Sequence, residues 1–245
     1  MKILAVDTST TSCSVAVVDK DLLLAEMTID REQTHSKHLM DMIHTVMGFS
    51  GLAVSALDGF AVTRGPGTFT GLRIGISTIK GLAVASGKPL VGISSLDALA
   101  EQCACSAYLI CVLLDARKGE VYFAGYRFQN GVLKKEIDER VLPPRQAVRD
   151  INEPSLLVGN GARLYQDTLA ETMGGMAFFA WPCQNTIRAS TVAWLSMSRF
   201  EKTETDDVAT FVPQYIRKPA AELNYKKSES VRVDFDVSLK GCGYH

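Results

Sequence analysis

The chain has 245 residues, 47% of them hydrophobic and 22% charged, enough to bury a substantial core in one or two domains. A formal net charge of −1 argues against a broad basic face that could grip nucleic acid unaided. The apolar stretches break at Gly, Lys or Asp well short of the ~18 residues that cross a bilayer, so no membrane association is expected.

The opening Met1-Lys2-Ile3-Leu4-Ala5-Val6-Asp7 reads as a buried strand rather than a signal peptide, which points to the cytoplasm. The six cysteines (Cys13, Cys103, Cys105, Cys111, Cys183, Cys242) lie mostly in apolar contexts and are expected to be reduced thiols. In chain order the first half predicts β-β-β-α-β-α-β-α. Ile3 to Val6 ends at Asp7 and the turn Thr8 to Ser12. Cys13 to Val18 and Leu22 to Ile29 pair across the hairpin turn Asp19-Lys20-Asp21. Ser36 to Met47 is an amphipathic helix with Leu39, Ile43, Val46 and Met47 on one side. A short strand, Phe60 to Thr63, leads into the loop Gly65-Pro66-Gly67 and a helix from Leu72 to Ser86. The strand Leu90 to Ile93 and the helix Leu96 to Cys103 complete this half, after the stop Gly87-Lys88-Pro89.

The second half opens with Tyr108 to Leu114, an apolar strand that again ends on an aspartate, Asp115. A strand from Glu120 to Phe128, a helix from Arg145 to Ile151 and a strand from Ser155 to Val158 follow. Gly159-Asn160-Gly161 then leads into a helix from Ala162 to Met173, and a last helix spans Thr191 to Glu201. Strand, Asp and turn thus recur, which suggests two related lobes: residues 1–104 and 105–220. Residues 221–245 form a linker and a candidate extra strand, since Val231, Val233, Phe235, Val237 and Leu239 alternate with polar residues. That strand either docks on a sheet edge or is a free tail.

Three constellations bear on function. The first is Asp7-Thr8-Ser9 after a buried strand, the arrangement at the first phosphate loop of sugar kinases, actin and heat-shock ATPases. Asp115 would hold the equivalent place in the second lobe, with Gly159 and Gly161 near an adenosine. These six residues are the weak candidates for nucleotide; the alternative is strand-end turns in lobes that no longer bind one. The second is Gly65 to Gly75, whose free amides at a helix N-terminus suit either a phosphate or the fixing of that helix for a partner. The helix behind it is apolar nearly all round apart from Arg73, Ser77 and Lys80, and so must be covered twice. With the preceding helix it forms a candidate partner interface of Leu39, Met40, Ile43, Met47, Gly71, Leu72, Arg73, Gly75, Ile76 and Ile79. The third is His35 and His38, with His44 beyond them; no Cys or carboxylate completes a metal set there. No Gly-x-Ser-x-Gly elbow exists for a serine nucleophile.

Gly65 to Gly75 resembles the signature Gly-Pro-Gly-Ser-Phe-Thr-Gly-Leu-Arg-Ile-Gly of the TsaB (YeaZ) family, with Thr68 in place of Ser. Asp7-Thr8-Ser9, His35-Ser36, Lys88 to Gly92, Asp115-Ala116-Arg117 with Glu120-Val121-Tyr122, Gly159-Asn160-Gly161 and Pro213 to Arg217 are similar to it as well. The likeness covers residue 1 to about 220. It implies an α/β protein of the actin-like ATPase (ASKHA, RNase H-like) fold with two related lobes. It also implies a non-catalytic subunit of the bacterial machine that places threonylcarbamoyl on the adenosine next to the tRNA anticodon. The expected partners are the catalytic subunit TsaD, met through the first two helices of each, the ATPase TsaE, and a second copy when the chain is alone. Transfer RNA would be touched only through the complex, and no cofactor is expected. In TsaD a His-x-x-x-His metal pair follows the strand matching Leu90 to Ile93; here those positions are Ser95 and Leu99, neither an imidazole. The other reading of the repeated aspartates is an ATP-dependent kinase or hydrolase. A metallopeptidase would need the missing histidine pair.

Overall fold

β1 (Lys2–Asp7), β2 (Ser12–Asp19) and β3 (Leu22–Asp30) form an antiparallel meander in a computed structural model that describes residues 1–30 and 35–216. α1 (His35–Ser50) connects to β4 (Gly59–Gly65), parallel to β1, and α2 (Phe69–Ser86) connects to β5 (Leu90–Ser94), parallel to β4. The sheet order is β3-β2-β1-β4-β5. β1, β4 and β5 read as nearly unbroken apolar runs because both of their faces are covered. After α3 (Ser95–Glu101) the plan repeats. β6 (Leu109–Asp115), β7 (Val121–Gln129) and β8 (Val132–Leu142) form a second meander. α4 (Pro144–Val148) leads to β9 (Ser155–Val158), parallel to β6. α5 (Asn160–Leu164) and α6 (Gln166–Met173) lead to β10 (Ala177–Phe179), parallel to β9. The second sheet, β10-β9-β6-β7-β8, therefore repeats the topology of the first, and Asp7 and Asp115 close equivalent strands.

Two elements differ from expectation. β8 carries no regular apolar alternation, because it is an edge strand dressed with Lys134, Lys135, Glu136, Asp138 and Arg140, all exposed. Charge on an edge protects it from pairing with other chains, and it hides the strand from a hydrophobicity pattern. The helix expected over Ala162 to Met173 is two short helices, parted where Tyr165 leaves helical backbone at φ −110°.

α7 (Ala189–Glu201) departs from the expected lobe boundary. From sequence, residues 105–220 form the second lobe, yet α7 lies against β1, β2, β4 and β5 of the first sheet. One face of that sheet (Leu4, Val6, Val15, Val17) is packed under Leu39, Ile43, Val46, Ile76 and Ile79 of α1 and α2. The alternate residues Ile3, Ala5, Ala16, Val18 and Ala61 point the other way and are fully buried too, so that face needs cover. α7 supplies it, with the Phe200 ring against the space where Gly59 lacks a side chain. Phe211 joins the same core, and residues Met1–Gln214 form one compact unit. The expected strand at 231–239, its linker and Cys242 lie outside the described residues.

α3 ties the lobes together. Tyr126 on β7 is 2% exposed and its hydroxyl donates to Asp97 Oδ1 at 2.8 Å. Lys135 Nζ reaches Asp97 at 3.0 Å and Glu139 at 2.8 Å, and Ser94 Oγ donates to Glu139 at 3.0 Å. Burial, then the Asp97 charge, holds the Tyr126 phenol far above its ordinary range, so it stays a donor. Tyr126→Phe is expected to cost about 1–2 kcal/mol in urea unfolding, the loss of one bond to a charged acceptor. Lys135→Met, which removes two partly exposed ion pairs, should cost under about 1 kcal/mol for each.

Candidate functional site

The glycine-rich loop does not face solvent as a cradle; it lies directly on the Asp7 turn. Asp7, Thr8 and Ser9 are at most 1% exposed. Asp7 Oδ1 accepts hydrogen bonds from the Ser9 amide (3.1 Å), the Ser9 hydroxyl (2.6 Å) and the Thr63 hydroxyl (2.7 Å). Thr8 Oγ1 donates to the Gly71 carbonyl at 2.7 Å, and the Thr68 amide donates to the Ser9 carbonyl at 2.7 Å. The fit leaves no room for side chains. A Cβ on Gly67 would stand 2.2 Å from the Ser9 carbonyl oxygen, and one on Gly75 would stand 2.3 Å from Thr8 Oγ1. On its other side the loop is held by Gln214, whose amide donates to the Arg64 carbonyl at 2.7 Å. Gly65 has φ +119° there and lies against the Gln214 carbonyl, so both conformation and contact require glycine. The hydroxyls and loop amide that would meet a phosphate are thus spent inside the protein. Burial first, and the nearby Asp7 charge second, push the Cys13 thiol up to about 12, which keeps it unreactive.

The second aspartate is arranged more openly. Asp115 Oδ1 accepts from the Arg117 amide at 2.8 Å, closing a turn in which Arg117 and Lys118 have positive φ. The Asp115 amide donates to Asn160 Oδ1 at 3.0 Å, and the Gly159 amide donates to Asn185 Oδ1 at 2.8 Å. Gly159 and Gly161 serve close packing: a Cβ on either would fall within 3 Å of the Leu113 carbonyl oxygen. Gly159 precedes α5 as Gly65-Pro66-Gly67 precedes α2, and each lobe presses its glycines onto its own central strand or turn.

The partner interface named from sequence needs correction, because most of its residues belong to the chain's own core. Leu39, Ile43, Met47, Leu72, Ile76 and Ile79 are each at most 8% exposed, and Gly71 and Gly75 are buried. Gly75 accommodates Thr8, not another chain. Only Met40, 53% exposed, and Arg73 stand outside. The surface that remains is the opposite side of the same helices. A groove of about 410 Å³ runs between α1 and α2, lined by Leu39, Met40, Phe69, Thr70, Arg73, Ile74, Ser77 and Thr78. The Arg73 guanidinium lies 3.8 Å over the Phe69 ring, which is itself exposed. Phe69 and Ile74 were missed from sequence. The signal was the helical angle: 70, 74 and 78 run down one side of α2 and 72, 76, 79 and 83 down the other.

Ser95 and Leu99, at the head of α3, are fully buried. Among the described residues no three His, Cys, Asp or Glu side chains converge on a metal position. The five described cysteines are free, and no described helix is long and apolar enough to cross a membrane.

Comparison with known proteins fits this architecture. Residues 23–225 match the family model described as TsaD: tRNA N6-adenosine threonylcarbamoyltransferase. The tRNA threonylcarbamoyladenosine biosynthesis protein TsaB of Bacillus subtilis is 30% identical, over 94% of this chain and 100% of its own length. The TsaB protein of Escherichia coli is 34% identical, over 68% of this chain and 74% of its own. Among solved structures, YeaZ from Pseudomonas aeruginosa superposes with a TM-score of 0.75 at 30% identity, covering 88% of this chain and 99% of that one.

Proposed function

The chain belongs to the TsaB family of tRNA threonylcarbamoyladenosine biosynthesis proteins, and from that membership we propose that it acts as the non-catalytic scaffold that binds and activates TsaD. Its fold is the actin-like ATPase fold with two related lobes. The observation that carries the proposal is the split character of α1 and α2: one face completes this chain's core, and the other presents a groove with Met40, Phe69 and Ile74 to solvent. An apolar face of that kind on a soluble protein is covered by something. In the proposed complex it meets the matching helices of TsaD, and in TsaD's absence a second copy of this chain. TsaE joins the pair, a separate synthase delivers threonylcarbamoyl-adenylate, and tRNA is bound through the partner. The near-neutral charge supports that division of labour. So do Ser95 and Leu99, which sit buried where the resemblance locates the transferase's metal histidines. The kinase or hydrolase reading is disfavoured by the Asp7 turn, which the loop seals from any phosphate.

The test changes only the solvent side. Met40→Glu with Ser77→Arg should abolish co-purification with TsaD, a loss of roughly 30-fold or more for each hot-spot contact removed. Stability should stay within about 0.5 kcal/mol, because neither side chain is in the core. The same variant should sediment as a monomer. Full retention of the complex would refute this surface. Gly75 substitutions are no substitute, because their clash with Thr8 damages the fold itself.

A further inference from the structure

A second cavity, of about 580 Å³, lies away from both aspartate turns, where α7 begins beneath β3 and the end of α3. Most of its polar lining is already engaged. Arg188 Nε donates to Glu26 Oε2 at 2.8 Å, its NH2 group is bonded to the same oxygen, and Ser190 Oγ donates to Glu26 Oε1 at 2.7 Å. Gln102 accepts from the Arg188 amide at 2.8 Å and donates to the Thr186 carbonyl at 3.0 Å. Trp194 Nε1 donates to the Lys20 carbonyl at 3.0 Å, which anchors the indole by its edge and leaves its ring as pocket wall beside Leu23 and Leu195.

Glu101 is the exception. It lines the cavity, is partly buried, and its carboxylate makes no hydrogen bond or ion pair with any described residue. Burial, with no described cation beside it to offset the cost, holds its carboxyl above the ordinary range. The one guanidinium in the cavity is committed to Glu26 and does not supply that compensation. A single carboxylate cannot satisfy a hard metal ion, which takes six or more oxygen ligands. A carboxylate in a cavity that an indole and aliphatic side chains also line is instead the chemistry that recognises an organic cation.

We propose that this cavity binds an alkylammonium group, with Glu101 as its counter-charge, the Trp194 ring as its aromatic wall, and Leu23 and Leu195 against its methylene chain. The volume exceeds that of an ammonium head and accommodates the chain behind it. The same chemistry could arrive as a lysine side chain of another protein or as a free polyamine. The inference is independent of the TsaD surface, which lies on α1 and α2.

The experiment uses the full chain with Trp181→Phe, so that Trp194 is its only tryptophan. N-acetyl-lysine amide and spermidine are titrated separately by calorimetry and tryptophan fluorescence, with neutral N-acetyl-norleucine amide as control. Saturable binding of either amine with a change in Trp194 emission is expected, with no response to the neutral analogue. Glu101→Gln, which keeps shape and fold, should weaken binding about tenfold or more. Trp194→Phe, read by calorimetry, should weaken it roughly two- to fivefold. Tighter binding of the lysine derivative identifies a protein side chain as the natural source, and tighter binding of spermidine identifies a polyamine. No binding of either amine, equal binding of norleucine amide, or unchanged affinity in Glu101→Gln overturns the proposal.

Discussion

Gly67→Ala should lower the stability of the chain by about 2–6 kcal/mol, a large part of the ~5–15 kcal/mol that holds a typical domain folded. The new Cβ would stand 2.2 Å from the Ser9 carbonyl oxygen and 2.9 Å from the Ser9 Cα-side atoms C and Cβ, distances that real Cβ atoms do not occupy. The carbonyl carbon and oxygen are backbone of a turn buried at 0% exposure, and the Ser9 Cβ is fixed to it, so none can swing aside as a long side chain would. Overpacking of this sort costs about 1–3 kcal/mol. The loop can relieve it only by lifting from the turn, which breaks the 2.7 Å bond from the Thr68 amide to the Ser9 carbonyl and costs about 1–3 kcal/mol more. Lifting also moves the first turn of α2 and with it Phe69 and Arg73, so partner binding should fall together with stability. Thr68→Ser, which restores the family's usual residue, makes the control. Thr68 caps α2 without a side-chain bond, and the change should stay within about 0.5 kcal/mol. Urea unfolding of both variants measures the contrast. A Gly67→Ala protein within 1 kcal/mol of the parent, on the scale where surface changes lie, would mean that the loop does not press on the turn.

That contact also marks the limit of what the residues reveal before folding. The repeat of strand, Asp and turn at Asp7 and Asp115 is local, and local patterns carried the two-lobe architecture correctly. The crossover helices were legible for the same reason: α1 sets Leu39, Ile43 and Val46 on one stripe. β8 was not, because its residues answer to solvent and to the sheet edge. Its real signal was the turn before it, Asn130-Gly131, both at positive φ, which is the preferred two-residue hairpin connection. α7 was legible as a helix but not as cover for the first sheet, since nothing within Ala189–Glu201 says which of two similar sheets lacks a lid. The interface was misread on like grounds. α2 is apolar on two sides, and composition says that both need cover. It does not say that Ile76 and Ile79 meet β-strands of the same chain while Ile74 and Phe69 face outward. That choice is made by packing between segments remote in sequence. The sealing of Asp7 by Gly67 belongs to the same class.

Asp7→Ala should cost about 3–5 kcal/mol, and its companion Asp7→Asn distinctly less, because the carboxylate is a structural acceptor. Alanine leaves the Ser9 amide, the Ser9 hydroxyl and the Thr63 hydroxyl facing an empty, buried position. Each buried donor without an acceptor costs about 1–3 kcal/mol, partly offset where a hydroxyl can rotate to another acceptor. Asparagine keeps an oxygen at the Oδ1 position and the same shape, so the three donors retain their partner with a weaker, uncharged bond. A nucleotide-dependent enzyme predicts a different pattern of effects. If Asp7 held a metal-bound water beside a phosphate, asparagine and alanine would both abolish nucleotide binding, and removing a functional carboxylate would leave stability unchanged or raised. The two accounts therefore separate on one pair of variants measured two ways, urea unfolding and calorimetric titration with ATP and magnesium. A steep loss of stability in Asp7→Ala, a shallow one in Asp7→Asn, and TsaD binding retained in Asp7→Asn would assign the aspartate to the floor under α2. ATP binding that vanishes in Asp7→Asn at unchanged stability would return it to catalysis. The first outcome follows from the hydrogen bonds: a carboxylate with three internal donors at 0% exposure already holds the turn on which the start of α2, and with it the proposed partner surface, rests.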